Sequence, residues 1–128
     1  MVKGKDLKTL QQALNNNYNI PFDTKLSIKL ARLKSELSSN TKIYDEVVKK
    51  LINECAELDE NNEPKLNEQG NIILKNDKIN KWSEGWRILQ DEEFSFAITF
   101  TMDELDNMKL TPAGAEVFLN LIEETPVI

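Results

Sequence analysis

The sequence predicts an α+β fold with a long central helix, shorter packing helices and a small antiparallel β-sheet. Apolar residues recur at three- and four-residue steps from Thr24 to Leu58, which is the spacing of one helix with one buried face. Residues 94–101 alternate between apolar and small or polar side chains, as a strand does. A polar turn containing Gly70 separates two short apolar runs, which favours a hairpin over 65–74.

Length and composition limit the class of protein. A chain of 128 residues, 40% of them apolar, can bury one core, so we predict a single domain over 1–128. Its mean hydropathy of -0.48 is that of a soluble protein, and no apolar run reaches the roughly 20 residues that cross a bilayer. Residues 1–14 lack a signal-peptide pattern, so we expect an intracellular protein. The single cysteine, Cys55, is predicted to be a buried thiol on the apolar face.

The first helices follow from apolar spacing. Leucines predict a short helix over 5–14, which the asparagines at 15–17 end. The long helix covers 24–58, with Asn40 as the one polar residue on its buried face. A straight helix of that length spans roughly 50 Å, which exceeds the diameter of a compact domain of this size. Part of it must therefore be covered by the rest of the chain, another copy or a partner.

The second half of the chain supplies the remaining elements. Asp77 is expected to cap a helix over 77–90. A Thr-Pro start opens the last helix, 112–124, which presents a buried apolar face. The hairpin 65–74 and the strand 94–101 are expected to form one antiparallel sheet across one end of the long helix.

Charge is distributed unevenly along the sequence. Residues 1–50 hold ten Lys and Arg against five Asp and Glu, a net charge of +5, whereas residues 51–128 hold six against seventeen, a net charge of -11. Three interpretations stay open: the halves neutralise each other within one fold, they join copies head to tail, or the second half offers an acidic surface to a basic partner. Direct nucleic-acid binding is disfavoured, because the chain is acidic and its lysines are dispersed.

No residue pattern indicates a catalytic or metal site. The sequence has no histidine, which removes the commonest general base and every Ser-His and Cys-His mechanism. Residues 59–70 match a calcium loop in their first ligand positions, but Pro64 occupies the position that requires glycine. Carboxylate pairs at helical spacing are typical of a solvated face in so acidic a chain. We predict neither an enzyme nor a bound cofactor or metal.

Trp82 and Trp86 share a helical face with Ile79 and Leu89, and two interpretations of them stay open. In the first they belong to the core, in one aromatic cluster beneath the predicted strand, with Phe94, Phe96, Ile98 and Phe100. In the second they anchor a protein partner. The candidate partner-binding residues, including the acidic run that follows the helix, are Trp82, Trp86, Asp91, Glu92 and Glu93.

The order of these elements resembles a group of small proteins encoded by tailed bacteriophages. The shared pattern includes an apolar-Pro step like Ile20-Pro21, a long leucine-rich helix (here Lys29 to Leu37), a hairpin like 65–74, an alternating strand and a closing Leu-Thr-Pro helix. The resemblance spans about residues 5–124. It implies a bacteriophage setting and transfers no site residue, because the group has no established activity.

These observations predict a non-enzymatic bacteriophage accessory or assembly protein that acts by protein–protein binding. The expected partner is a second copy or another phage protein, either in the host cytoplasm or on the virion, with no membrane and no direct nucleic-acid contact. The alternative is an acidic inhibitor of a host nucleic-acid enzyme or defence system, in which carboxylates of residues 51–128 imitate phosphates.

Overall fold

The computed structural model describes residues 1–123 and confirms the α+β class. Its helices are α1 (Leu7–Tyr18), α2 (Thr24–Cys55), α3 (Ile79–Asp91), α4 (Met102–Asp106) and α5 (Pro112–Leu119). A two-stranded antiparallel sheet pairs β1 (Val2–Lys3) with β2 (Glu93–Phe94). No helix within these described residues is both long and apolar enough to cross a membrane.

The main core is built from the two ends of the chain. Its buried side chains come from residues 2–37 and 89–121, and residues 38–88 contribute none. The first half of α2 supplies four leucines, which pack with α1, α5 and the segment that follows β2: Leu26, Leu30, Leu33 and Leu37. We call residues 38–88 the arm: side chains such as Tyr44 and Val48 pack against that core, but none is buried within it.

The long helix forms as predicted but ends earlier than Leu58. The Asp23 carboxylate accepts a hydrogen bond from the backbone N–H of Leu26 at 2.8 Å and so caps the first turn. The helix continues for 32 residues, about 48 Å at the usual rise. It stops at Cys55 because Ala56 turns to extended backbone and pairs with Leu74.

The asparagines at 15–17 do not end the first helix, which starts at Leu7 and continues to Tyr18. Asn17 is fully buried, and its amide nitrogen donates to the carbonyl oxygens of Ala13 and Lys109, each at 2.8 Å. Its amide oxygen accepts from the Lys109 N–H at 2.7 Å. The side chain that favours a turn in isolation is thus used to fasten α1 to the loop before α5.

The hairpin over 65–74 forms through isolated bridges, but it does not pair with residues 94–101. Leu66 pairs with Ile72 around a turn in which Gly70 has φ +80, as its position in the sequence predicts. Three backbone N–H groups close a ring: Glu57 donates to Ile73, Ile73 donates to Lys65, and Lys65 donates to Glu57. The predicted sheet is therefore wrong, since residues 56–58 take the place of 94–101.

The strand predicted over 94–101 is also wrong over most of its length, and only Phe94 and Phe100, which forms an isolated parallel bridge with Ile122, are paired. Phe94 pairs with Val2 in the sheet, and residues 95–99 belong to no strand. Two α2 side chains take the ladder's place: the Glu36 carboxylate accepts from the Ala97 N–H at 2.8 Å and from the Ile98 N–H at 3.1 Å, and the Asn40 amide donates to the Ser95 carbonyl at 2.9 Å. The alternation still predicts the inward side chains correctly: Phe94, Ile98 and Phe100 are buried and Phe96 is partly buried.

The later helices differ from their predicted bounds at the ends. Asp77 lies within a 3-10 turn, Asn76–Lys78, and its side chain does not cap α3. The last helix opens at Pro112 as predicted but ends at Leu119, and position 124 of the predicted range lies outside the described residues.

Gly4 brings the amino-terminal segment onto the end of α3. Its N–H donates to the Glu92 carbonyl oxygen at 2.9 Å, and a Cβ on this residue would overlap the Leu89 carbonyl oxygen. We expect Gly4→Ala to lower the free energy of unfolding by about 2 kcal/mol or more, because the clash is with backbone that cannot rotate away. Urea unfolding measures the change, with Lys5→Ala as the exposed control. Equal stability of the two variants would contradict the close approach.

Glu104 links α4 to α2 and makes stability depend on pH. Its carboxylate lies 2.6 Å from the Lys29 amine and accepts from the Thr101 N–H at 2.9 Å in a capping box. Burial alone would raise the pKa of Glu104, but the hydrogen bonds from Lys29 and Thr101 outweigh it, so the pKa lies below 4.5. A carboxylate whose pKa is lower in the folded than in the unfolded protein stabilises the fold above its unfolded pKa.

We therefore expect the Tm of the wild-type protein to fall as the pH drops below about 4.5 and Glu104 takes up its proton. Glu104→Gln should have a lower Tm at pH 7 and a flatter profile over that range. Thermal unfolding followed by circular dichroism measures both, with the exposed neighbour variant Asp103→Asn as control. A profile for Glu104→Gln as steep as that of the wild-type protein would show that this carboxylate is not responsible.

Candidate interaction surface

The helix α3 packs antiparallel to the second half of α2. Three contacts set their register: Lys81 Nζ to Glu54 Oε2 at 2.7 Å, Gly85 against Leu51, and Gln90 Nε2 to the Tyr44 hydroxyl at 2.8 Å. A glycine inside a helix is typical of a position where another element approaches closely, and this holds at Gly85, where a Cβ would lie 2.8 Å from Leu51 Cδ1. Gly85 therefore lets the backbone of α3 come close to α2.

The ion pair at the far end of this contact is exposed. The hydrogen bond and the positive charge of Lys81 lower the pKa of Glu54, and Glu54 raises the pKa of Lys81 by the same two effects. Exposed pairs contribute little to stability, because water and salt screen them. The pair marks the register of the two helices more than it holds them together.

The tryptophans form a stack on the side of this helix pair. The rings of Trp82 and Trp86 are 5.6 Å apart between centroids and nearly parallel, at 16°. Trp86 is 38% exposed and Trp82 is partly exposed. Because Gly85 faces α2, the neighbouring Trp86 projects sideways, about 100° around the helix.

The predicted aromatic cluster of the tryptophans with the residues of 94–100 is therefore wrong. Neither Trp82 nor Trp86 is among the main core residues or the side chains packed against them. Ile79, which is half exposed, lies on the same side of α3, three residues before Trp82. We call Ile79, Trp82 and Trp86 the tryptophan face.

The acidic candidates do not join the tryptophan face. Asp91 is five residues after Trp86, which places it about 140° around the helix. The backbone carbonyl of Glu92 accepts from the Gly4 N–H, and Glu93 lies directly opposite Lys3 in the sheet. A basic residue of the first half thus faces an acidic residue of the second, as Lys29 faces Glu104.

Sequence reasoning missed a further exposed apolar group on the arm. Val47 is predicted on the buried face of α2, yet it is 42% exposed, and its neighbour Val48 is the one packed against the core. A pattern that repeats every seven residues drifts about 20° per heptad on a straight helix, and three heptads separate Val47 from Leu26. Applying that drift to the sequence could have placed Val47 outside the buried face.

Outside the tryptophan face, the described surface carries charged side chains but no metal-ligand cluster. Across residues 1–123, no group of three or more Cys, Asp or Glu side chains is placed to hold a metal ion. An open groove of about 590 Å³ runs between α1 and α2, and charges of both signs line it, among them Lys34, Lys42 and Asp45. This groove adds a charged surface to the apolar tryptophan face.

A scan of protein-family models finds no match to this chain, and searches of the curated proteins and of the solved structures find none either. Its function is therefore inferred from its own surface.

Proposed function

We propose that this chain is a non-enzymatic bacteriophage accessory or assembly protein that binds another protein through its tryptophan face. The observation that carries the proposal is the partly exposed stack of Trp82 and Trp86, with Ile79 beside it, on a side of α3 that contributes no side chain to the main core. Tryptophan is among the residues most enriched at the energetic centres of protein interfaces. Exposed side chains at these spacings are also those with which a helix fills a partner's groove.

The energetics favour such a use. The exposed part of Trp86, 38% of a large aromatic surface, would contribute on the order of 2 kcal/mol if a partner covered it. The two rings already stack in the free protein, so little side-chain freedom is lost on binding. A contribution of that size is typical of an interface hot spot.

The bacteriophage setting is supported by the order of elements and the Leu-Thr-Pro helix at Pro112. We expect the partner to be a phage protein, present in the host cytoplasm or on the virion. The acidic-inhibitor alternative has less support, because its carboxylates are partly committed within the fold. Asp59 accepts from the N–H groups of Asn61 and Glu63, and Glu93 faces Lys3.

We expect Trp86→Ala to remain folded and to lose at least ten-fold in affinity for its phage partner. Its cost in stability should be about 1 kcal/mol, because the side chain lies outside the main core. Binding is measured by capturing proteins from infected cells with wild-type and variant chains, identifying the retained virion component and titrating it in purified form. Both tryptophans of the chain lie in the stack, so their fluorescence reports directly on the proposed contact.

The matched control is Leu119→Ala, which truncates a half-exposed apolar side chain on α5, away from the arm. It should bind as the wild-type protein does. Equal binding by Trp86→Ala and Leu119→Ala would refute the tryptophan face. If Trp86→Ala lowers the Tm as much as the truncation of a core residue does, Trp86 belongs to the core and not to an interface.

A further inference from the structure

A second line of residues runs along α2 beside its leucine face. Its members follow one another at steps of seven, four or three residues, so they share one side of the helix. In order along α2 they are Lys29, Glu36, Asn40, Ile43, Val47, Lys50 and Glu54.

Both ends of this line are covered by later parts of the chain. Towards its start, Glu36 holds the Ala97 and Ile98 N–H groups and Asn40 holds the Ser95 carbonyl. At its far end, Glu54 binds Lys81 of α3. Two members of the line between Asn40 and Glu54 are apolar and are left largely uncovered. Ile43 is 52% exposed and Val47 is 42% exposed.

One side chain of α3 joins this uncovered stretch. Ile88 lies seven residues after Lys81, and Val47 lies seven residues before Glu54. Because the helices are antiparallel and Lys81 binds Glu54, Ile88 and Val47 lie side by side two turns further on. Ile88 is 51% exposed. We call Ile43, Val47 and Ile88 the apolar window.

The two edges of the window carry opposite charges. Lys50 follows Val47 by three residues on α2, and Glu84 precedes Ile88 by four residues on α3. The contact of Leu51 with Gly85 places Lys50 and Glu84 at the same height along the helix pair. Both side chains are exposed. At this height the apolar strip thus has a basic residue on its α2 edge and an acidic residue on its α3 edge, and the exposed Glu46 and Asp91 lie further along those edges.

We propose that a second copy of this chain covers the apolar window in a two-fold symmetric dimer. A two-fold axis parallel to the helices places the α3 edge of each copy over the α2 edge of the other. The apolar strips then meet at the centre, and Glu84 of each copy faces Lys50 of the other. This self-complementary pattern is what an isologous interface requires, and it is the reason for choosing a second copy over a foreign partner.

The size of the window determines the strength of this dimer. Three half-exposed side chains and two charged edges bury far less than the roughly 800 Å² per partner of a standard interface. The dimer is therefore weak and forms at high protein concentration. This dimer goes beyond the proposed function, because it uses a different side of the arm from the tryptophan face.

Sedimentation equilibrium at low salt tests the proposal over protein concentrations from about 10 μM to about 1 mM. The wild-type protein should shift from monomer towards dimer, and Val47→Asp should stay monomeric, because it places a charge in the apolar strip. Circular dichroism and Tm confirm that the variant is folded. A wild-type protein that remains monomeric throughout overturns the proposal, as does a Val47→Asp dimer of undiminished affinity.

Charge exchange tests the geometry. Lys50→Glu and Glu84→Lys should each weaken self-association about ten-fold, because like charges then meet across both contacts. An equimolar mixture of these two variants should recover wild-type affinity, because each mixed pair has opposite charges at both contacts. A mixture that associates no better than either variant alone overturns the two-fold arrangement.

The tryptophan face provides the separating measurement. Trp86→Ala should dimerise as the wild-type protein does, and its loss of dimer would move the interface to that face and overturn the window. Partner capture by Val47→Asp should equal that of the wild-type protein. If the protein stays monomeric but still captures its partner through the tryptophan face, only the apolar window is refuted. If it dimerises but Trp86→Ala and Leu119→Ala capture the partner equally well, only the proposed function is refuted.

Discussion

The hydrogen bonds that join residues 95–98 to α2 are the constraint around which the rest of the molecule is arranged: the Glu36 carboxylate accepts from two backbone N–H groups, and the Asn40 amide donates to a backbone carbonyl. They satisfy backbone groups of a segment that belongs to no strand, so Ile98 and the flanking Phe94 and Phe100 can be buried in one core with the leucines of α2. The contact is charge-assisted at Glu36, which makes it stronger than an ordinary ladder bond. Because residues 95–98 are held beside Glu36 and Asn40, near the middle of α2, the preceding helix α3 must run antiparallel along the second half of α2 to reach them. The exposed surfaces of the arm follow from that path.

The side-chain pattern predicts orientation well and backbone partners poorly. Alternation over 94–101 places Phe94, Ile98 and Phe100 in the core, as the structure has them. It cannot reveal that α2 side chains replace a strand, because a polar residue on a helix has the same spacing whether it meets water or backbone. The prediction that the asparagines at 15–17 end the first helix is wrong for a similar reason. Their turn preference is local, and a buried contact with Lys109 overrides it.

The sequence predicts which residues form the candidate surface, but it does not predict whether they are exposed. Helical spacing identifies Trp82 and Trp86 as a pair, and the stack confirms that they are neighbours. Whether the pair faces core or solvent depends on the rotation of α3, which the Gly85 contact with Leu51 sets. Predicting the apolar window requires further information, because its exposure depends on which parts of α2 the residues beyond 80 cover. Such an arrangement exists only in three dimensions, and no local pattern encodes it.

The division of the core between the two ends of the chain has a consequence for synthesis. Residues 2–37 leave the ribosome before residues 89–121, carrying a leucine face whose remaining partners begin at Leu89. At the usual 5 to 20 residues per second, the interval is roughly 3 to 10 s. During that time α1 and α2 can pack only on each other, and their leucines are open to chaperones or to neighbouring nascent chains. The arm is synthesised within this interval. The core is therefore completed only after the arm, with its tryptophan face and apolar window, has been made.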